Sequence, residues 1–174
     1  VNEAQAQPWT IRRARTADIR AIAALIEPLV EQRVLLGKDL VVLFESVQEF
    51  FVAQTASGEV IGCGALHVFW EDLGEVRTLT VAPGFQKKGV GHALLETLEE
   101  EAKRLGLTRL FCLTFEDEFF LRHGFALHED VLVDPDVYVE LVRSPDEGVA
   151  EFLDLARVKP NTLGNSRLVK NLTY

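Results

Sequence analysis

The chain has 174 residues, 48% of them hydrophobic, enough to close one sizeable core and consistent with a single domain over 1–174. Its 18 basic against 27 acidic side chains give a formal net charge of -9, and with no local basic patch to offset it a nucleic-acid partner is disfavoured. No apolar run reaches the roughly 18 residues a membrane-spanning helix needs, and residues 1–9 lack the pattern of a signal peptide, so the expected setting is cytoplasmic with no membrane partner.

In chain order, residues 9–13 read as a short strand. Thr16 can offer its hydroxyl as a helix N-cap with Asp18 in the first turn, and Ile19, Ile22, Ala23, Ile26, Leu29 and Val30 follow at helical spacing. Pro28 lacks a backbone donor and is expected to end or kink this helix near Glu27. Leu40, Leu43, Phe44 and Val47 suggest a second helix, with Asp39 as its cap. Two strand-like runs, 49–54 and 60–69, are joined by Thr55-Ala56-Ser57-Gly58, a hairpin signature. In a third run, 74–81, the apolar alternation slips between Val76 and Leu79. One extra residue, hence a bulge near Arg77 and Thr78, accounts for the slip, although a strand buried on both faces would show the same pattern.

Residues 89–105 carry the strongest helical signal, with Val90, Leu94, Leu98, Ala102 and Leu105 on one stripe and Glu99/Lys103 and Glu100/Arg104 paired outside it. Gly106 ends that helix. A fourth apolar run covers 109–114, a short helix 119–123 stops at Gly124, and 125–133 reads as extended. Residues 137–142 read as helical, while 151–155 and 167–172 are ambiguous. Cys63 and Cys112 both lie in apolar runs and behave as small hydrophobes there, so no disulfide is expected. His67, His92, His123 and His128 share no metal-ligand spacing, so no metal is expected.

The chemistry concentrates where the third strand runs through Ala82-Pro83 into Gln86-Lys87-Lys88-Gly89-Val90-Gly91-His92 and the long helix. Glycines permit a tight turn, several N–H groups converge, and the positive end of the helix dipole faces outward, which makes an anion site suited to a pyrophosphate. Lys87 and Lys88 add local charge. Neither the Walker nor the dinucleotide spacing is present, and without a ligand the same loop is an ordinary glycine-rich turn.

Gln86-x-x-Gly89-x-Gly91 resembles the Q/R-x-x-G-x-G/A signature of the GNAT superfamily of acyl-CoA-dependent N-acyltransferases, and Phe120-Leu121-Arg122-His123-Gly124-Phe125 resembles its second signature. Longer stretches, Ile61 to His67, Asp72 to Arg77, Leu113 to Phe125 and Asn161 to Leu168, are similar to the acetyltransferase module of N-acetylglutamate synthases, the first enzymes of arginine biosynthesis. The resemblance runs from about Ile11 to Leu172 and is weakest over 131–159. It implies a mixed, mostly antiparallel α/β sheet with helices on both faces, opened by a splayed strand. The amino-acid kinase domain that many synthases carry upstream, with its arginine-sensing site, does not fit in this length.

By the same resemblance the cosubstrate is acetyl-CoA. Its pyrophosphate would sit on Gln86, Lys87, Lys88, Gly89, Val90, Gly91 and His92, with its pantetheine arm along Leu79, Thr80 and Val81 and Phe120 beside it. The acceptor would be the α-amine of glutamate or glutamine. An ammonium must lose a proton before it can attack a thioester, and Glu75 matches the family's usual general base, acting directly or through a water. Backbone N–H groups around Leu79 would stabilise the oxyanion. The family's usual acid is a Tyr, but this chain has Phe120 there, and the resemblance to the synthases moves that role to Thr114. Lys38 and Arg77 are candidates for the acceptor's α-carboxylate, and Arg167 for the far end of its side chain. Asn165 stands where the synthases tend to carry Arg, which raises glutamine as an acceptor that competes with or replaces glutamate.

Each residue also has a plainer reading: a solvated carboxylate for Glu75, a structural hydroxyl for Thr114, surface charges for Lys38 and Arg77. Two rival functions stand beside the amino-acid reading, acetylation of a protein or another small amine, and a non-catalytic acyl-CoA-binding regulator, against which an intact Glu75 speaks. Oligomeric state is left open, a homodimer included.

Overall fold

The structure, a computed structural model, describes residues 8–35, 37–129, 132–153 and 166–174. Its strands are β1 (Trp9–Arg13), β2 (Phe50–Thr55), β3 (Val60–Val68), β4 (Leu73–Val81), β5 (Arg109–Thr114), β6 (Ala126–Leu127) and β7 (Ser166–Asn171). Its helices are α1 (Ile19–Glu31), α2 (Leu40–Glu45), α3 (Val90–Leu105), α4 (Asp117–Arg122), α5 (Pro135–Leu141) and α6 (Glu147–Leu153).

The seven strands form one sheet in the order β1-β2-β3-β4-β5-β7-β6. Every adjacent pair is antiparallel except β4 and β5, which run parallel. Period-two alternation sends successive side chains of β2 to opposite faces. Phe51 and Ala53 join the cluster under α3, built on Leu94, Leu95, Leu98 and Ala102, whereas Phe50 and Val52 join Ile19, Ile22 and Ile26 of α1. Burying one such Leu, Ile or Phe contributes roughly 1.5–3 kcal/mol, so the two helices are held by tertiary packing rather than by propensity. A third cluster, Phe69, Leu73, Phe111, Leu141, Val149 and Phe152, seats α5 and α6 over β4 and β5. This is the mixed α/β architecture with helices on both faces that the sequence implied.

Three local expectations are corrected. Of the two outcomes expected at Pro28, an end or a kink, the end is excluded: Pro28 lies inside α1, which continues to Glu31. Ala24 and Pro28 are both exposed, so water can take the carbonyl that the missing N–H leaves behind. Thr16 does not cap α1. It opens a short 3-10 turn, and the Asp18 carboxylate accepts the Arg15 N–H at 2.7 Å instead. The stretch 125–133 is not one strand. Only Ala126–Leu127 pairs, with Val169 and Leu168 of β7, and residues 130–131 lie outside the described set.

The hairpin between β2 and β3 forms as expected; of the two regions left ambiguous, residues 151–153 belong to the end of α6, with 154–155 outside the described residues, and 167–172 falls mainly in β7. Among the described residues no helix is long and apolar enough to cross a membrane.

Candidate active site

The two halves of β4 differ, and the difference makes the site. Leu73 to Glu75 are held on one side by β5, through pairs ending at Glu75 with Phe111, and on the other by β3. Beyond Glu75 the pairing with β5 stops. The register against β3 also slips, since Ala65 faces Arg77 but Cys63 faces Thr80, and Thr78 sits in the slip at φ 58°. This is the bulge expected from the broken alternation, and an extra residue there increases local twist and bends the strand away. A cleft of about 340 Å³ opens where β4 and β5 part, lined by Glu75 to Leu79 and Cys112 to Thr114. The segment between α1 and α2, carrying Lys38, forms one wall, and the start of α6 forms the other.

The cleft's charges are tightly arranged. The Arg77 guanidinium donates to Glu75 Oε2 from both Nε (2.9 Å) and Nη2 (2.5 Å). It also grips Asp146, with Nη1 to Oδ2 at 3.0 Å and Nη2 to Oδ1 at 3.1 Å. Burial works against the Arg77 charge, but the two carboxylates outweigh it and hold its pKa above the ordinary value. Burial likewise opposes ionisation of Asp146, yet Arg77 and, more weakly, His67 and the Val149 N–H bring it down to about 2. Glu75 is buried, and its second oxygen, Oε1, accepts no hydrogen bond among the described residues.

Arg77 can reach this position because the second residue of α6, Gly148, has no side chain. A Cβ at Gly148 would stand 2.6 Å from Arg77 Nη2, too close for any side chain.

Lys38 stands across the cleft. Burial lowers its pKa, Arg77 adds to the effect, and Asp146, Glu75 and Glu49 oppose it. Thr114 accepts the Glu116 N–H at 2.8 Å through its oxygen, which leaves its O–H free to donate into the cleft. Phe120 is buried against Phe125 and lines the cleft. The structure thus brings Glu75, Arg77, Leu79, Thr114, Phe120 and Lys38 around one space.

Thr80 and Val81 lead from the cleft toward the glycine loop, where Gln86 Nε2 reaches back to the Val81 carbonyl at 3.3 Å. Lys87 and Gly89 both take left-handed conformations, φ 59° and 84°, which fold the loop onto the start of α3. Gly89 caps α3 with no side-chain hydrogen bond, so the first-turn N–H groups remain available to an anion. Lys87 and Lys88 are exposed around them, and His92 bonds His123 at 2.7 Å beside the same helix end.

Arg167 is not among the residues lining this cleft. Its Nη2 donates to the Phe152 carbonyl at 2.9 Å and its guanidinium covers the Phe152 ring at 5.0 Å. Asn165 lies outside the described residues.

Sequence reasoning missed Asp146, Glu49 and His67. His67 bonds Glu49 at 2.5 Å and points its other nitrogen at Asp146, 3.9 Å away. The hairpin register that sets His67 directly opposite Glu75 could have placed it beside the site. Asp146 left a fainter trace, since its Oδ1 caps the Val149 N–H at 2.9 Å and Ser144-Pro145-Asp146 is a plausible helix start in sequence.

Burial weighs against either cysteine as a nucleophile. Burial pushes the Cys63 thiol up to about 12, and raises Cys112 as well with help from Glu75 and Asp117, so neither supplies a thiolate. Among the described residues no group of side chains suited to a metal ion occurs.

Residues 19–125 match the acetyltransferase (GNAT) family. The amino-acid acetyltransferase of Mycobacterium tuberculosis is 53% identical over 161 residues, which cover 91% of this chain and 92% of that protein. A relative of the same description from Neisseria meningitidis is 41% identical over 118 residues, covering 67% of this chain but 27% of that longer protein. A Mycobacterium tuberculosis structure in complex with CoA and NLQ matches with TM-score 0.90 and 52% identity, over 94% of this chain and 99% of that one. N-acetylglutamate synthase from Neisseria gonorrhoeae, complexed with coenzyme A and N-acetyl-glutamate, matches with TM-score 0.76 and 30% identity, over 95% of this chain and 35% of that one.

Proposed function

The chain belongs to the acetyltransferase (GNAT) family, and from that membership we propose that it transfers the acetyl group of acetyl-CoA to the α-amine of a free amino acid, glutamate or glutamine. The observation that carries the reading is Glu75, which lines the cleft where the strands part and whose Oε1 accepts no hydrogen bond among the described residues. Such an oxygen is placed to receive a proton from an acceptor ammonium, directly or through one water.

The fold supplies the remaining parts. The uncapped start of α3 with Gln86, Lys87 and Lys88 holds the coenzyme's pyrophosphate, and the open edge of β4 from Leu79 to Val81 guides its pantetheine arm toward the cleft. The neutral amine attacks the thioester carbon. Backbone N–H groups at the bulge near Leu79 take the oxyanion, and the departing thiolate takes a proton from Thr114 or from solvent. Transfer is direct, because neither buried cysteine can carry the acetyl group. Lys38, and Arg77 by exchanging one of its carboxylates, receive the α-carboxylate.

Charge favours glutamine over glutamate. Glu151 is itself engaged, and the rest of the described cleft lining holds four carboxylates, Asp39, Glu75, Asp146 and Glu147, against two cations, Lys38 and Arg77. A second acceptor carboxylate would add to that excess, whereas an amide would not. The reaction with glutamate is the first step of arginine biosynthesis in the synthases this chain resembles.

Thiol release from acetyl-CoA across the twenty amino acids tests the reading, with glutamine or glutamate expected to lead and glutamine ahead. A peptide or polyamine outrunning every free amino acid would point to the small-amine or protein alternative. Coenzyme binding without turnover would point to a regulator.

A further inference from the structure

We propose that Lys38 is itself an acetyl acceptor, taking the acetyl group from acetyl-CoA when no amino acid occupies the cleft. The inference rests on the reading of the cleft as the place where an amine meets the thioester. Lys38 lines that cleft together with Glu75, Leu79 and Thr114, the groups assigned to the base, the oxyanion site and the acid. It belongs to the irregular stretch between α1 and α2, and its four-carbon stem lets the amine sweep the cavity.

Its surroundings separate it from the other described lysines. Lys103 and Lys170 are tied to Glu100 and Glu99 at 3.5 and 2.7 Å, and Lys87 and Lys88 are exposed to water. Among the described residues no carboxylate lies within 4.0 Å of the Lys38 amine. Burial, with the Arg77 charge behind it, lowers the proton affinity of that amine, so more of it is neutral and nucleophilic at a given pH. Proximity to the thioester then supplies the rest of the advantage, as it does for any held nucleophile.

The step balances without a further reactant. The neutral lysine nitrogen attacks the thioester carbon and the C–S bond breaks. The proton leaving nitrogen passes to Glu75 and then to water, and the thiolate leaves as CoA. Overall a lysine ammonium and acetyl-CoA give an acetyl-lysine, CoA thiol and one proton. The product has lost the cation proposed to receive the acceptor's α-carboxylate and has gained bulk in a cavity of about 340 Å³. Self-acetylation therefore slows the enzyme when acetyl-CoA is plentiful and acceptor is scarce.

The test incubates the purified chain with acetyl-CoA and no amino acid, following intact mass and mapping acetyl-lysine by peptide. Lys38 is expected to be modified at least about tenfold faster than Lys87 or Lys88, and saturating glutamine or glutamate is expected to slow it. Lys38→Arg should remove the fast phase and leave slow background labelling of the other lysines. Labelling that simply follows exposure, or that ignores the acceptor, overturns the inference. Thiol release with an amino acid while Lys38 stays unmodified overturns it too and leaves the amino-acid reading standing. Rapid labelling of Lys38 with no amino acid turned over supports self-acetylation and removes that reading instead.

Discussion

Two arginine clusters in this chain look alike as lists of contacts and differ in what they leave over. Arg12 meets both oxygens of Asp18, at 2.7 and 2.9 Å, and spends Nε on Gln54 at 2.7 Å. Asp18 uses its remaining capacity on the Arg15 N–H. One cation balances one anion, every strong donor and acceptor is satisfied, and the result fastens β1 to the start of α1. Arg77 also grips carboxylate with a forked guanidinium, but it must serve two, Glu75 and Asp146, and both border a cavity. The excess negative charge and the open Glu75 oxygen are assets only if a cationic group enters. The balanced pair fastens elements together, and the unbalanced one is where the proposed function brings in an ammonium.

The sharpest way to break that contrast is Glu75→Gln. It keeps the shape and removes the proton acceptor, so kcat should fall roughly 100- to 1,000-fold while coenzyme affinity changes little. Steady-state rates with glutamine, alongside a titration with CoA, check it; a loss smaller than about threefold would mean that the base lies elsewhere.

Asp18→Asn should do the reverse. Removing one partner from a buried, hydrogen-bonded pair leaves Arg12 uncompensated, and a loss on the order of 2–3 kcal/mol in unfolding free energy is expected. Turnover per folded molecule should stay within about twofold of the parent. Urea unfolding and the rate assay together decide whether architecture and chemistry separate this way.

Gly148→Ala tests the clamp without touching a charge. The added Cβ would sit 2.6 Å from Arg77 Nη2, so the guanidinium must shift off at least one carboxylate. An effect of about tenfold on kcat/KM and about 1 kcal/mol on stability is expected, with the KM for the amino acid rising more than that for acetyl-CoA.

How much of this could be read in the sequence depends on whether the cause is local. The β4 bulge left its mark as an apolar pattern slipping between Val76 and Leu79, because side-chain period on a strand is local physics. The loop at Gly89 was legible for the same reason, since left-handed backbone and an open helix end demand particular residues there. Pro28 misled because the effect of a missing donor depends on whether its carbonyl faces water, which only the folded surface decides. Asp146, Glu49 and His67 were invisible as a group because they come from three separate elements, joined only when α6 packs over the sheet. Arg167 was placed at the acceptor's far end by motif position, and its stacking on Phe152 was not legible there because it requires knowing where α6 lies.

The smallest effect is expected from the most exposed of these ion clusters. Glu101 of α3 accepts from Arg104 at 2.8 and 2.6 Å and from Arg13 of β1 at 2.7 Å. The Arg104 hydrogen bonds, opposed by partial burial and reinforced by Arg13, hold its carboxyl down to about 2. A carboxyl depressed in the folded state contributes stability above its unfolded value and loses it as pH falls through the folded one. The window therefore runs from about 4.5 down to about 2. Both arginines are more than half exposed, so solvent screening limits the contribution to on the order of 1 kcal/mol. Unfolding free energy measured from pH 7 to pH 2.5 should show Glu101→Gln below the parent at neutral pH and converging on it in acid. Asp146, held at about 2, should keep part of the acid slope in both proteins. Parallel curves that never converge would mean that Glu101 holds β1 to α3 by packing alone, and that its charge adds nothing.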